Sequence, residues 1–341
     1  MTMKKCRLTI SVLCVMGFML FLWISAATAQ QKPTKLTYSH FWPVGHPVTA
    51  LLADWAKEVE KRTDGRVAVI MFPAGTLTPA DKIYDGVVKG ISNLGSSALS
   101  YTRGRFPHME VIDLPLGYKN ATIATNLTNA LYKKFQPKEL DDTKVMYFQG
   151  HGPGIFHTKK PVRSLEELKG MKIRTTGLGT KIVTALGATP VAMTMGETYD
   201  ALAKGVVDGS IAPISSLVGF RWGEVVRYTT ENFGSAYTAA FFVVMNKDTW
   251  NGLPPEVQKI IEGVNEEWIK KTGLVWDEYD NKGRDFALKL GNQTIRLSKE
   301  EDELWVKKVS VTFDDYLKDM EKKGLPGTEA LDFCRDFLKK N

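Results

Sequence analysis

The sequence predicts an α/β protein with two lobes, on three observations. Strand and helix patterns alternate from the first structured segment onward. A second such series begins near Gly150, and one helical pattern of about 35 residues, about 50 Å at 1.5 Å per residue, is too long for a single small lobe.

The first series opens at 35–40 (KLTYSH), apolar on alternate residues and therefore a strand. A loop rich in Pro and Gly (41–47) leads into a helix on which Val48, Leu51, Leu52, Trp55 and Val59 share one face. Gly65 is its expected stop, 66–73 the next strand, and 83–90 the end of a second helix. This alternation predicts largely parallel sheets.

In the second series, 144–150 and 154–162 read as strands and 164–170 as a short capped helix. Then come a strand at 171–176, a Gly-rich turn opening a helix over 177–188, a strand at 189–193, a helix at 197–205 and a strand at 206–212. The run at 235–246 reads as a buried strand. Over 254–291, Val257, Ile260, Ile261, Val264 and Trp268 hold the helical period, and Gly263, Gly273 and Gly283 should let the helix bend. Such a helix would have to brace both lobes. With no low-complexity linker, strands rather than a tether should join them.

The N-terminus reads as an export signal. Lys4, Lys5 and Arg7 precede an apolar run of 16 residues, Leu8 to Trp23, and Ala27-Thr28-Ala29 supplies a small-x-small site. The run is short of the roughly 20 residues that span a bilayer. Cleavage after Ala29 makes 1–29 a signal peptide and directs the chain to the periplasm. Cys6 and Cys14 leave with it, stranding Cys334 without a disulfide partner. The formal charge of +7 includes three cations from the signal, leaving +4 with both signs mixed along the chain; no nucleic-acid footprint is present.

Catalysis finds no support: no nucleophile elbow, zinc-protease helix, P-loop or paired-Cys motif occurs. None of His40, His46, His108, His151 and His157 has helical metal-ligand spacing, so no metal or cofactor is expected and each reads as structural. The turn at 177–182 imitates half a dinucleotide fingerprint, but Ile182 stands where the third Gly belongs. What survives is a helix N-terminus beside Gly177 and Gly179 whose N–H groups would suit an anion. Arg174, three residues earlier at the end of its strand, carries a planar fork of donors suited to a carboxylate; a surface salt bridge is the equal alternative. Phe41, Trp42, Phe220 and Trp222 lie at strand ends, where they could wall a partly aromatic pocket.

Four segments, 72–90, 159–177, 187–209 and 241–261, resemble the solute receptors of tripartite ATP-independent periplasmic (TRAP) transporters, the DctP-like dicarboxylate-binding family. The resemblance runs through almost the whole mature chain. It implies a periplasmic-binding-protein-like, type II flytrap fold with a long helix spanning both lobes. Lobe I would comprise 30–150 plus 237–275, and lobe II 151–236 plus 276–341 with the C-terminal helices. The ligand would sit between the lobes, and the Arg of the "LKG-x-KIR" strand, here Arg174, would grip its carboxylate.

The sequence departs from the family at three places. The stretch 208–213 reads DGSIAP, so Ala212 replaces an amide side chain. Gly154 stands where many members carry a second Arg, and Met195 where an aromatic is frequent. Fewer cationic and amide groups favour a monocarboxylate with an apolar or aromatic body. The expected site is Arg174 with Phe41, Trp42, Ser97, Gly177, Met195, Ala212, Ser215, Trp222 and Tyr237. The expected partners are a small organic anion and the small and large membrane subunits of a TRAP permease, with the receptor a monomer. Two other readings stay open: an exported sensor module that binds the same ligand, and an exported hydrolase with the same cleft.

Overall fold

A computed structural model describes residues 32–341; the signal peptide expected at 1–29, with Cys6 and Cys14, lies outside the described residues. Strands β1 (Thr34–His40), β2 (Val67–Phe72), β3 (Leu94–Ala98), β4 (Thr143–Gly150) and β10 (Ala240–Asn246) form a first sheet, in the order β2-β1-β3-β10-β4. A second sheet holds β5 (Ile155–Thr158), β6 (Lys172–Thr175), β7 (Thr189–Ala192), β8 (Gly209–Ala212), β9 (Tyr228–Glu231) and β11 (Gln293–Arg296), in the order β11-β9-β5-β8-β6-β7.

Both sheets are mixed, which corrects the expectation of largely parallel ones. β1 runs parallel to β3, and β6 parallel to β7 and β8. β10, however, is antiparallel to both β3 and β4, and β5 is antiparallel to β8 and β9. The cause lies in the connections. The chain leaves the first sheet after β4 and re-enters it as β10 from the other side, so one strand per sheet runs against its neighbours. The two crossing segments meet at a bridge, where Gly154 N–H donates to Tyr237 O at 2.8 Å. Strand-like chain joins the sheets, as expected.

The helices are α1 (Pro47–Arg62), α2 (Ile83–Val88), α3 (Ala121–Phe135), α4 (Leu165–Leu168), α5 (Gly179–Ala185) and α6 (Met195–Ala203). They continue with α7 (Ser216–Gly219), α8 (Lys247–Asn251), α9 (Pro255–Lys289), α10 (Lys299–Val309), α11 (Val311–Lys322) and α12 (Gly327–Lys340). α1 shows why such elements form where they do. His46 caps its N-terminus, Pro47 opens it, and Val48, Leu51, Leu52, Trp55 and Val59 all face inward.

α9 runs unbroken for 35 residues and packs on α1, α3 and β4 at one end and on α7 at the other. Polar pairs fix it along its length. Trp55 Nε1 donates to Asn265 (2.9 Å), Trp268 Nε1 to Leu51 O (2.9 Å), and Asp277 accepts Ala121 N–H (2.6 Å) at the positive end of α3. Beyond it, Asp280 accepts Ser215 N–H (2.8 Å) and Arg284 pairs with Glu231 (2.6 Å). Gly273 and Gly283 serve close approach: a Cβ at 273 would lie 2.7 Å from Thr122 Cα, and one at 283 would collide with the Ile214 carbonyl. α12 packs on α3, where Cys334 is fully buried and burial pushes its thiol up to about 12.

Candidate functional site

A cavity lies between the two sheets. Of the expected site residues, Phe41, Trp42, Arg174, Met195, Ala212, Ser215 and Tyr237 line it. β6 and β8 deliver Arg174 and Ala212 from one side, while the loop after β1 delivers Phe41 and Trp42 from the other.

Arg174 is 2 % exposed. Its Nε and Nη2 both donate to Met193 O, at 3.0 and 2.9 Å, and the guanidinium sits 5.7 Å from the Trp222 ring centroid. Among the described residues no carboxylate lies within ion-pairing distance, and the Tyr101 hydroxyl lies against the guanidinium. Guanidinium does not shed its proton in proteins. A buried cation without a counter-charge is destabilising by several kcal/mol, a cost that an anion beside it would offset.

Three groups stand near that charge. Tyr101 Oη accepts Met195 N–H at 3.1 Å; burial pushes its pKa up while Arg174 pulls it down. Tyr237 Oη donates to Ile211 O at 3.2 Å, and burial raises its pKa too. His151 Nε2 accepts Ala239 N–H at 3.0 Å and Nδ1–H donates to Gly152 O. Burial lowers His151 to about 4, so it is neutral and fully bonded.

Three expected residues do not line the cavity. Ser97 points away, its Oγ donating to Ala80 O at 2.7 Å; Ala98 faces the cavity instead, since side chains alternate along β3. Gly177 marks a tight approach, where a Cβ would lie 2.6 Å from Ser100 Cβ. The N–H of Gly179 closes a turn onto Thr176 O at 2.9 Å, so it is not free for an anion. Trp222 is fully buried beneath Arg174 and supports it from behind.

Aromatic rings build most of the remaining wall. Phe241 stacks on Trp276 (centroids 5.8 Å, planes 8° apart) and lies 5.4 Å from Trp42, which is 4.2 Å from Phe41. Phe241 and Trp276 were not legible as cavity residues because they sit in a strand and a helix read as buried, whereas Tyr101, His46 and His151 lie outside any periodic segment, the histidines having read as structural. At Gly154 a Cβ would collide with the Tyr237 ring, so an aromatic fills the space that a side chain at 154 would need. Among the described residues, no cluster of His, Cys, Asp and Glu could hold a metal ion, and no helix is long and apolar enough to cross a membrane.

The model of the bacterial extracellular solute-binding protein family 7 (DctP) matches residues 38–319. Among solved structures, a TRAP periplasmic solute-binding protein from Desulfovibrio salexigens is 34% identical, with 89% of this chain and 95% of that one covered and a TM-score of 0.79. A TRAP solute-binding protein from Rhodoferax ferrireducens, in complex with copurified benzoate, is 30% identical over 90% of this chain and 98% of that one, with a TM-score of 0.86. A marine-metagenome TRAP solute-binding protein specific for aromatic acids, in complex with 3-hydroxybenzoate, is 28% identical over 91% and 99%, again with a TM-score of 0.86. With its two-lobe α/β fold, this chain belongs to the DctP family of bacterial extracellular solute-binding proteins, the solute receptors of TRAP transporters.

Proposed function

We propose that this receptor binds a small monocarboxylate with an aromatic body, gripped at its carboxylate by Arg174 and enclosed by Phe41, Trp42, Phe241 and Trp276. The observation that carries the reading is the Arg174 guanidinium, buried to 2 % with no carboxylate beside it among the described residues. One cation in a wall otherwise aromatic matches one negative charge on an apolar ring. The benzoate and 3-hydroxybenzoate complexes of the two relatives support the same ligand class. A dicarboxylate would bring a second charge to a place where Gly154 and Tyr237 stand instead of an Arg.

The receptor acts by binding, without covalent chemistry, in the periplasm after removal of residues 1–29. It works as a monomer and presents its closed lobes to the small and large membrane subunits of a TRAP permease. Sheet membership supports the division into 30–150 with 237–275 and 151–236 with 276–341. Against it stands the packing of the last helix, α12, on α3, which lies in the 30–150 stretch.

The test is a thermal-shift screen of mature wild type and Arg174→Ala, each unfolded and refolded to strip copurified ligand. The panel holds aromatic and aliphatic monocarboxylates, 2-oxo acids, four-carbon dicarboxylates and sugar acids. Aromatic monocarboxylates should stabilise wild type. The variant should lose roughly 2–5 kcal/mol of binding, as for a buried hydrogen-bonded charge pair, or about 30- to 3,000-fold in affinity. A folded variant that binds within threefold of wild type removes Arg174 from the site, and preferential binding of a dicarboxylate refutes the ligand class.

A further inference from the structure

One short turn of the first-sheet side meets the second-sheet side beside Arg174. It is the 3-10 turn Leu99–Tyr101, which follows β3. Ser100 Oγ donates to Thr176 Oγ1 at 3.4 Å, and Gly177 packs so close that a Cβ there would lie 2.6 Å from Ser100 Cβ. Tyr101 Oη accepts the Met195 N–H at 3.1 Å and lies against the Arg174 guanidinium. Ser100, Tyr101 and Thr176 line both the cavity and a neighbouring cleft walled by Ala80, Arg103 and Glu197, so this contact divides one space from the other.

A neutral phenol has one proton to give and an oxygen that can accept. Burial pushes the Tyr101 pKa up, so the proton stays on. The oxygen already faces two donors, the Met195 N–H and the guanidinium, and its own proton must therefore point away from both. Among the described residues Tyr101 donates no hydrogen bond. Its ring is held edge-on against Phe41, centroids 5.5 Å apart, on the cavity wall. A carboxylate laid on the guanidinium brings an acceptor to that proton, and hydrogen bonds chained through one hydroxyl polarise and strengthen one another.

We infer that Tyr101 is the latch of this receptor: its O–H goes to the carboxylate held by Arg174, while its oxygen accepts the Met195 N–H of the opposite lobe. One hydroxyl then ties the ligand to closure. The ligand orients the phenol, the phenol holds the start of α6, and the cavity is shut off from the cleft. The inference rests on Arg174 holding the carboxylate.

The test uses the refolded mature chain, benzoate as the probe, and three variants. Tyr101→Phe keeps the ring and removes the hydroxyl. Met195→Pro removes the N–H and sets a ring carbon where Tyr101 Oη stands. The backbone suits proline there, since Met195 opens α6 and Thr194 before it is extended (φ −72°, ψ 165°). Met195→Ala loses the same side chain but keeps the N–H, so the two Met195 variants isolate the backbone donor. Thermal unfolding of each ligand-free variant checks its fold. Titration calorimetry gives the affinity, and small-angle X-ray scattering at saturating benzoate gives the radius of gyration of the bound state. Tyr101→Phe should bind benzoate about ten- to hundredfold more weakly than wild type, as for a lost hydrogen bond to a charged group. Met195→Pro should bind it about tenfold or more weakly than Met195→Ala. Both Tyr101→Phe and Met195→Pro should stay more expanded than wild type when saturated. Affinity of Tyr101→Phe within about threefold of wild type, equal affinities of the two Met195 variants, or saturated variants as compact as wild type each overturn the latch and leave the anion reading intact. Benzoate binding by Arg174→Ala equal to that of wild type overturns the anion reading itself, and this one with it.

Discussion

His157 shows at a single residue how burial sets chemistry. It lies fully buried in β5, with Nε2–H donating to Ala212 O (3.1 Å) and Nδ1 accepting from Thr229 Oγ1 (3.0 Å). Burial lowers its pKa from 6.5 to about 4. The sign follows from linkage: between pH 6.5 and 4 the unfolded chain binds the proton and the folded one does not, so stability falls as pH drops through that window. His40 and His151, lowered to about 4, and His46, lowered to about 3, act in the same direction. Asp280, raised to about 6, and Glu139, raised to about 7, oppose them, since the folded state holds those protons longer. His157→Gln should therefore be less stable than wild type at pH 8 yet lose on the order of 1–2 kcal/mol less between pH 7 and pH 5. Urea midpoints at the two pH values measure this, and an unchanged pH slope in the variant would refute it. At this scale Arg174 was legible from its strand end and motif. The neighbour error at Ser97 arose because one residue along a strand reverses the face, and β3, with Gly, Ser and Ala, has no apolar alternation to fix it.

The long helix was legible as an element because its apolar period holds over about ten turns, a length that leaves few alternatives. β3, β9 and β11 were not, since short strands of small or polar residues such as LGSSA and QTIR give no periodic signal and are held by their neighbours. The glycines of α9 were expected to bend it; their surroundings assign two of the three to packing. Gly263 faces open space, whereas Gly273 touches α3 and Gly283 touches the Ile214 carbonyl. Gly263→Ala should stabilise by about 1 kcal/mol, the helix-propensity gain alone. Gly273→Ala and Gly283→Ala should each destabilise by about 1–3 kcal/mol, because overpacking outweighs that gain. Chemical denaturation of the three variants decides it; stabilisation by all three would mean that the helix is not clamped at those points.

Across the whole molecule, two sheets hold their walls together over a cavity, and closure depends on surfaces smooth enough to meet. Gly219, at the end of α7 on the second-sheet side, is such a surface. A Cβ there would lie 2.7 Å from His46 Cδ2 and 3.1 Å from Tyr279 Cε1. The His46 ring is buried among Trp42, Phe220, Trp276 and Tyr279 and cannot swing aside. An alanine at 219 must therefore hold the loop before α1 off α7 and lower the fraction of molecules that reach the closed state. Apparent affinity falls by that same fraction. Gly219→Ala should bind benzoate about tenfold more weakly, with faster dissociation. Titration calorimetry and stopped-flow fluorescence of the site tryptophans measure the two quantities. Wild-type affinity in the variant would show that the bound state does not bring His46 onto Gly219, and the closing contact would then have to lie elsewhere, at Tyr101 and Met195.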